Sequence, residues 1–210
     1  MDKKKLTDAI SKALEGKGKK KFTQSVELII NMRGLDFTKT ENRINLDIVL
    51  PKGKGGKELK SCVIGDASIV DEAKKAGADL VILPHEIAGY AAKEKSDDLA
   101  DNYLLIAQPS QMAAVAKTLG QFLGKKGKLP KPILGNVADL ITRSKNSVRV
   151  ATKGKYLPTV QALVGTEKMS PEAIFENADA VYEEVKNKVT EGNIRSMYVK
   201  LTMGTPVRVV

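Results

Sequence analysis

The hydrophobic pattern changes period twice along the chain, and this limits the available folds more than any single motif does. Toward both ends apolar and polar residues alternate: Val26, Leu28, Ile30 and Met32; Ile44, Leu46, Ile48 and Leu50; Val160, Ala162 and Val164; Met197, Val199, Leu201 and Met203. A period of two places each set on one face of a half-exposed strand of the antiparallel kind. In the middle, residues 59–64 (LKSCVI), 79–83 (DLVIL) and 103–107 (YLLIA) are unbroken apolar runs, as expected of strands buried on both faces. Helical spacings lie between and after them: Ile69, Val70 and Ala73 behind Asp66; Met112, Val115, Leu119 and Phe122 behind Ser110; then Val137, Leu140 and Ile141. Strand and helix alternating at this distance predict βαβ units and a parallel sheet.

The fold class that follows is a two-domain α/β protein. Residues 1–55 and 149–210 together form an α+β domain whose antiparallel sheet is built from both chain ends, and residues 56–148 form a separate α/β domain inserted into it. Two amphipathic helices can cover the apolar side of the first sheet. One spans 3–14, with Leu6, Ala9, Ile10, Ala13 and Leu14; the other spans 171–190, with Ile174, Ala178, Val181 and Val185. The second opens on Ser170 and Pro171, and Gly192 lies beyond its end. The joints fall at PKGKGGK (51–57), whose glycines and lysines predict a mobile, solvated hinge, and near Asn146.

Composition narrows the function. The 210 residues carry a net charge of +10, unevenly spread: the two outer segments hold 22 basic and 14 acidic side chains, the middle 13 and 11. An excess of cations predicts a polyanionic partner, with RNA, DNA and an acidic membrane all open at this point. One cysteine, Cys62, and one histidine, His85, are too few for a Cys/His zinc site or an internal disulfide. No apolar run reaches membrane-spanning length, and MDKKKLTDAI has no apolar signal core, so a soluble protein with no membrane partner is expected.

Phosphate-loop motifs fail on inspection. Gly120 and Gly124 have three residues between them rather than four, and Lys125 is followed by Lys126, not a hydroxyl. After the strand ending at Ile64, the turn Gly65, Asp66, Ala67, Ser68 lacks the dinucleotide fingerprint and sets a carboxylate where a pyrophosphate would bind. Asp66 reads as a helix N-cap. His85, in LPHEI, has no acid or nucleophile that would make it catalytic, and Cys62 reads as a small core residue. Three lysine clusters, 17–21, 52–57 and 125–131, are either phosphate contacts or solvated loops.

The polar faces of the outer strands are more telling. If Val26, Leu28 and Ile30 face the core, then Thr23, Ser25, Glu27, Ile29 and Asn31 face out, as do Tyr198, Lys200 and Thr202, and Thr159 and Gln161. Hydroxyls, an amide and a carboxylate edged by Lys21 and Lys200 suit contacts to sugar hydroxyls and base edges; an ordinary wet sheet face is the alternative.

Five stretches on or near these strands carry a family resemblance. KKFTQSVELIINM (20–32), TENRINLDIVLPKGKGGK (40–57), GKLPKP (127–132), VGTEKMSPE (164–172) and YVKLTMGTPVRV (198–209) occur in the order and spacing of the universal "L-one" ribosomal protein family. The chain resembles its archaeal members from about residue 5 to residue 209. The resemblance implies that the inserted domain is a Rossmann-like, three-layer module and that the discontinuous domain binds a helical junction of large-subunit ribosomal RNA. It implies a place on the mobile side stalk, a role in releasing deacylated tRNA from the exit site, and repression of the protein's own messenger RNA. The protein is then cytoplasmic and ribosome-associated, a monomer off the ribosome, without cofactor or catalytic residues. Carried over residue by residue, the RNA-contacting positions are Phe22, Thr23, Ser25 and Glu27, then Thr202, Met203 and Gly204, flanked by Lys21 and Lys200. Some members carry a histidine where Gln161 aligns. Thr202 would bond a ribose hydroxyl, Met203 cover a sugar or base, and Gly204 let backbone approach, while Glu27 would accept from a base donor. A small nucleotide-dependent enzyme using the inserted domain is the reading from another class.

Overall fold

The computed structural model describes residues 3–56, 60–152 and 157–209. In chain order the elements are α1 (Lys3–Leu14), β1 (Ser25–Met32), β2 (Asn45–Val49), β3 (Lys60–Ile64), α2 (Ala67–Lys75), β4 (Leu80–Ile82), α3 (Lys93–Asn102) and β5 (Tyr103–Ala107). After these come α4 (Met112–Lys125), β6 (Lys131–Pro132), α5 (Val137–Asn146), β7 (Ser147–Ala151), β8 (Thr159–Thr166), α6 (Pro171–Val189), β9 (Ile194–Leu201) and β10 (Val207–Arg208). They form two compact units, Met1–Lys57 with Asn146–Val210, and Glu58–Lys145.

The first unit holds a four-stranded antiparallel sheet in the order β10-β9-β1-β8 and a separate antiparallel pair, β2-β7. Strand β1 lies at its centre because Val26, Leu28, Ile30 and Met32 alternate without a break, and all four are buried. Their apolar face is covered by Leu6, Ala9, Ile10 and Ala13 of α1 and by Ile174, Ala178, Val181 and Val185 of α6. Ser170 caps α6 through its hydroxyl, which accepts from Ala173 N–H (3.3 Å). The helix ends at Val189 with Thr190, at φ +64°, as its C-cap, and Gly192 lies beyond it as expected.

Asn177, fully buried on α6, ties down one side of the glycine-rich segment expected to be a hinge. Its Oδ1 accepts from Lys52 N–H (2.9 Å), and its Nδ2 donates to the carbonyls of Gly53 and Val164 (2.8 Å each). Thr166 Oγ1 donates to the Gly55 carbonyl (2.8 Å), and Lys52 pairs with Glu176 at 3.3 Å. Gly55, at φ +65°, lies against Met169, where a Cβ would collide with the thioether. The glycines thus serve a strap tied across β8 and α6, while Pro51, Lys52, Gly55 and Gly56 stay exposed, as expected of a solvated segment. Lys57 of this motif, and Leu59 of the expected strand 59–64, lie outside the described residues.

The second unit is a parallel sheet in the order β4-β3-β5-β6 with helices on both faces. Successive side chains of the apolar runs point to opposite layers. Cys62, Ile64, Leu105 and Ala107 pack with Leu99, Val115 and Leu119 of α3 and α4. Val63 and Ile106 pack with Ala73 of α2 and with Val137 and Ile141 of α5. In α4 the core position falls to Leu123, and Phe122 stays half-buried. Asp66 occupies the N-cap position of α2 without capping it; its carboxylate accepts from Gln111 Nε2 (3.3 Å) instead.

Burial pushes the Cys62 thiol up to about 12, so the native protein holds it protonated at pH 8. A thiol reagent at pH 8 is expected to label Cys62 only as the second unit opens, at a rate that rises with urea. Stoichiometric labelling within seconds in buffer alone would show that this core is not closed.

Candidate RNA-binding face

Three segments of the first unit converge at one end of its sheet: the chain entering β1, the chain leaving β9, and the loop after β8. Residues 201–204 form a β-turn closed by Gly204 N–H, which donates to the Leu201 carbonyl (2.9 Å). Thr202 N–H donates to the Ser25 carbonyl (3.0 Å), and Met203 N–H to Gln24 Oε1 (3.1 Å). All three amides are used, so the turn is held by the protein itself. Gly204 belongs to that closure: a Cβ there would stand 3.1 Å from Leu201 Cβ and 3.3 Å from its nitrogen.

Thr202 does not stand outward as a strand residue with a free hydroxyl. Its Oγ1 accepts from Ser25 N–H (3.0 Å) and donates to the Ser25 carbonyl (3.3 Å), leaving one lone pair open. Thr202→Val is therefore expected to lower stability by about 1 to 2 kcal/mol, because Ser25 N–H loses its partner. Urea denaturation reads this directly, and an unchanged midpoint would mean that these bonds are not kept in solution.

Met203 also departs from expectation. Strand β9 ends at Leu201, and Met203 sits on the turn with 64% of its surface exposed rather than on the buried face. Phe22, 51% exposed, and the exposed Lys21 and Thr23 precede β1. Glu27 and Lys200 face each other in register across β1 and β9, their charged atoms 3.7 Å apart. Lys200 Nζ also donates to the Thr202 carbonyl (3.1 Å), so its charge is partly engaged and the carboxylate repels an incoming phosphate less. Gln161, exposed on β8, faces out opposite Ile29, two positions along β1 from Glu27. Tyr198 continues the same face on β9, opposite Ile29 on its other side.

Gln24, Glu167, Gly16 and Gly18 were not among the residues expected in the site, yet they hold it together. Gln24 is 2% exposed. Its Nε2 donates to Glu167 Oε2 (3.3 Å) and to the Gly16 carbonyl (3.4 Å), while its backbone carbonyl accepts from Glu167 N–H (2.9 Å). Glu167 Oε2 also accepts from Gly18 N–H (3.3 Å), with Gly18 at φ +73°. One amide thus joins the turn, the loop after β8 and the lysine-bearing loop 15–21. A signal for it exists: strand parity puts Gln24 on the face of Val26 and Leu28, and an amide on an apolar face must find partners.

The second unit offers a nucleotide little. At the carboxyl ends of β3 and β5, where such sheets place ligands, Asp66 N–H already donates to Gln108 Oε1 (2.9 Å). His85 is exposed on a short 3-10 segment whose Glu86 accepts from Leu83 N–H (3.0 Å). Among the described residues no group of three His, Cys, Asp or Glu side chains is gathered for a metal, and no helix is long and apolar enough to cross a membrane.

Fold and surface define a two-domain α/β protein with an antiparallel unit made from both chain ends, a parallel unit inserted in it, and a rigid polar turn at the edge of the first sheet. Within that class the chain belongs to the ribosomal protein L1p/L10e family, whose model matches residues 11–205. Among its relatives is the large ribosomal subunit protein uL1 of Methanocella arvoryzae, 39% identical over the whole of both chains. The uL1 proteins of Thermofilum pendens, 41% identical over 97% of this chain and 92% of that one, and of Pyrococcus horikoshii, 37% identical over 99% and 96%, are similar too. This is a family of ribosomal proteins, not of enzymes, and the nucleotide-dependent enzyme is set aside.

Proposed function

We propose that this protein binds large-subunit ribosomal RNA at the mobile side stalk through its discontinuous unit, residues 1–55 and 149–210. It does so with Lys21, Phe22, Thr23, Ser25 and Glu27, with Thr202, Met203 and Gly204, and with Lys200 and Gln161 beside them. The observation that carries the reading is the pre-formed turn. Because its amides are already bonded to Ser25 and Gln24, RNA meets a fixed surface, and little ordering entropy opposes binding. Met203 and Phe22 offer polarizable and aromatic cover for a base or ribose, the open lone pair of Thr202 accepts from a 2′-hydroxyl, and Glu27 accepts from a base amino group. On this reading the protein works on ribosomes in the cytoplasm, is a monomer away from them, and assists release of deacylated tRNA from the exit site. It also holds its own messenger leader on the same surface, more weakly, and so represses its synthesis when in excess.

Titration with a ribosomal RNA fragment carrying the stalk junction tests this. A variant with Glu58–Lys145 replaced by a short Gly-Ser link is expected to retain affinity within about tenfold, roughly 1.4 kcal/mol. Log affinity should fall with log salt at a slope no steeper than about −6, since sugar and base contacts outnumber phosphate contacts. A folded variant that binds more than 100-fold weaker would move the site to the inserted unit. The messenger leader should be displaced by the ribosomal fragment; a leader that stays bound would require a separate site.

A further inference from the structure

Beside the turn, on the edge of the same sheet, lies a groove of about 420 Å³ between α1 and β10, lined by Lys5, Asp8, Lys12, Val207, Arg208 and Val209. Lys5, Asp8 and Lys12 recur at helical spacing on one stripe of α1, and Arg208 comes four residues after Gly204. Asp8 is the only acid among the described residues that line the groove. Among the described residues it forms no ion pair within 4 Å with either lysine, and neither Lys5, Lys12 nor Arg208 has a hydrogen-bond or ion-pair partner for its charged group. By contrast Lys52, Lys126, Lys186 and Lys200 are all paired. Lys5, Lys12 and Arg208 at this groove outnumber its one carboxylate, so a further anion is favoured there.

We infer that this groove binds the sugar–phosphate backbone of the same RNA that the turn holds. This rests on the reading above and extends the RNA-binding surface around the sheet edge. Arg208 can stand no more than about 14 Å along the chain from Gly204, so a duplex leaving the turn meets the groove within a few nucleotides. A lysine pair and a guanidinium with valines between them, but no aromatic ring, suit phosphates rather than base edges. The groove therefore adds affinity and orients the duplex without reading its sequence.

The test uses the full chain and two forms of the stalk-junction RNA, one with its duplex arms intact and one with the arms trimmed back to the junction. Lys12→Ala with Arg208→Ala, both exposed or edge positions, is expected to bind the intact RNA about tenfold more weakly and to flatten its salt slope by roughly 1.5, at 0.7 to 0.9 per phosphate lost. Against the trimmed RNA, wild type and variant should bind alike for one choice of which arm is removed. Thr202→Val should weaken both RNAs and leave the slope unchanged. Equal slopes for wild type and the double variant on intact RNA would overturn the proposal. So would an equal loss on every trimmed RNA, which would report only diffuse charge. Loss of binding to vesicles of anionic lipid with RNA binding untouched would assign the groove to a membrane surface and overturn it as well. If wild type fails to bind the intact RNA at all, the reading of the turn itself falls, a result distinct from these.

Discussion

Asn177→Leu is expected to destabilise the first unit by about 3 kcal/mol or more. Leucine fills a similar volume but leaves Lys52 N–H and the carbonyls of Gly53 and Val164 without their partners. Each buried or half-buried group so orphaned costs about 1 to 3 kcal/mol, and the three share one side chain, so the costs fall together. For a domain of this size the unfolding midpoint should drop by about 10 °C. Lys52 and Gly53 belong to the strap that leads out of the first unit, so the same change should make 51–56 sensitive to protease in the native state. A variant that melts within 2 °C of wild type and resists protease would show that the strap is held by Thr166 and Met169 rather than by the amide.

Gln24→Leu should act on binding as much as on stability. It removes the acceptor of Met203 N–H and the amide donor to the buried Glu167 carboxylate in one step. A loss of about 2 kcal/mol in stability is expected, together with at least a tenfold loss of affinity for the stalk-junction RNA, because a turn free to move must be ordered at binding. Gln24→Glu separates the two effects. It sets a second carboxylate about 3.3 Å from Glu167, and two carboxylates that close cannot both ionise without cost. This variant should be less stable than Gln24→Leu at pH 7 and recover toward pH 4, as the pair comes to share a proton. Stability that does not depend on pH would mean that residue 24 does not face Glu167 in solution.

Much of the fold was legible in the chain. Strict alternation over Val26, Leu28, Ile30 and Met32 specifies a strand with one buried face whatever lies around it, since a slip of one residue would turn the whole set to water. The unbroken runs of the middle segment imply strands covered on both sides for the same reason. Even the error at Met203 is instructive: parity continued the strand two residues too far, because period alone contains no signal for the turn that ends it. The candidate residues 22–27 and 200–204 were legible through motif and parity together. Their relation was not: Thr202 and Ser25 are 177 residues apart, and only the pairing of β1 with β9 brings that hydroxyl onto the Ser25 amide.

The sequence by itself determined which residues are apolar, at what period, and therefore which strands must be half-covered and which fully covered; the driving force is burial of surface, which needs no knowledge of partners. The tertiary structure alone decided where the polar atoms go. Gln24 to Met203 and Glu167, and Asn177 to the glycine strap, are directional bonds of about 3 Å between distant segments. Hydrophobic burial is insensitive to direction, whereas a hydrogen bond exists only when donor and acceptor meet within a few tenths of an ångström. That is why the core could be read along the chain and the turn could not.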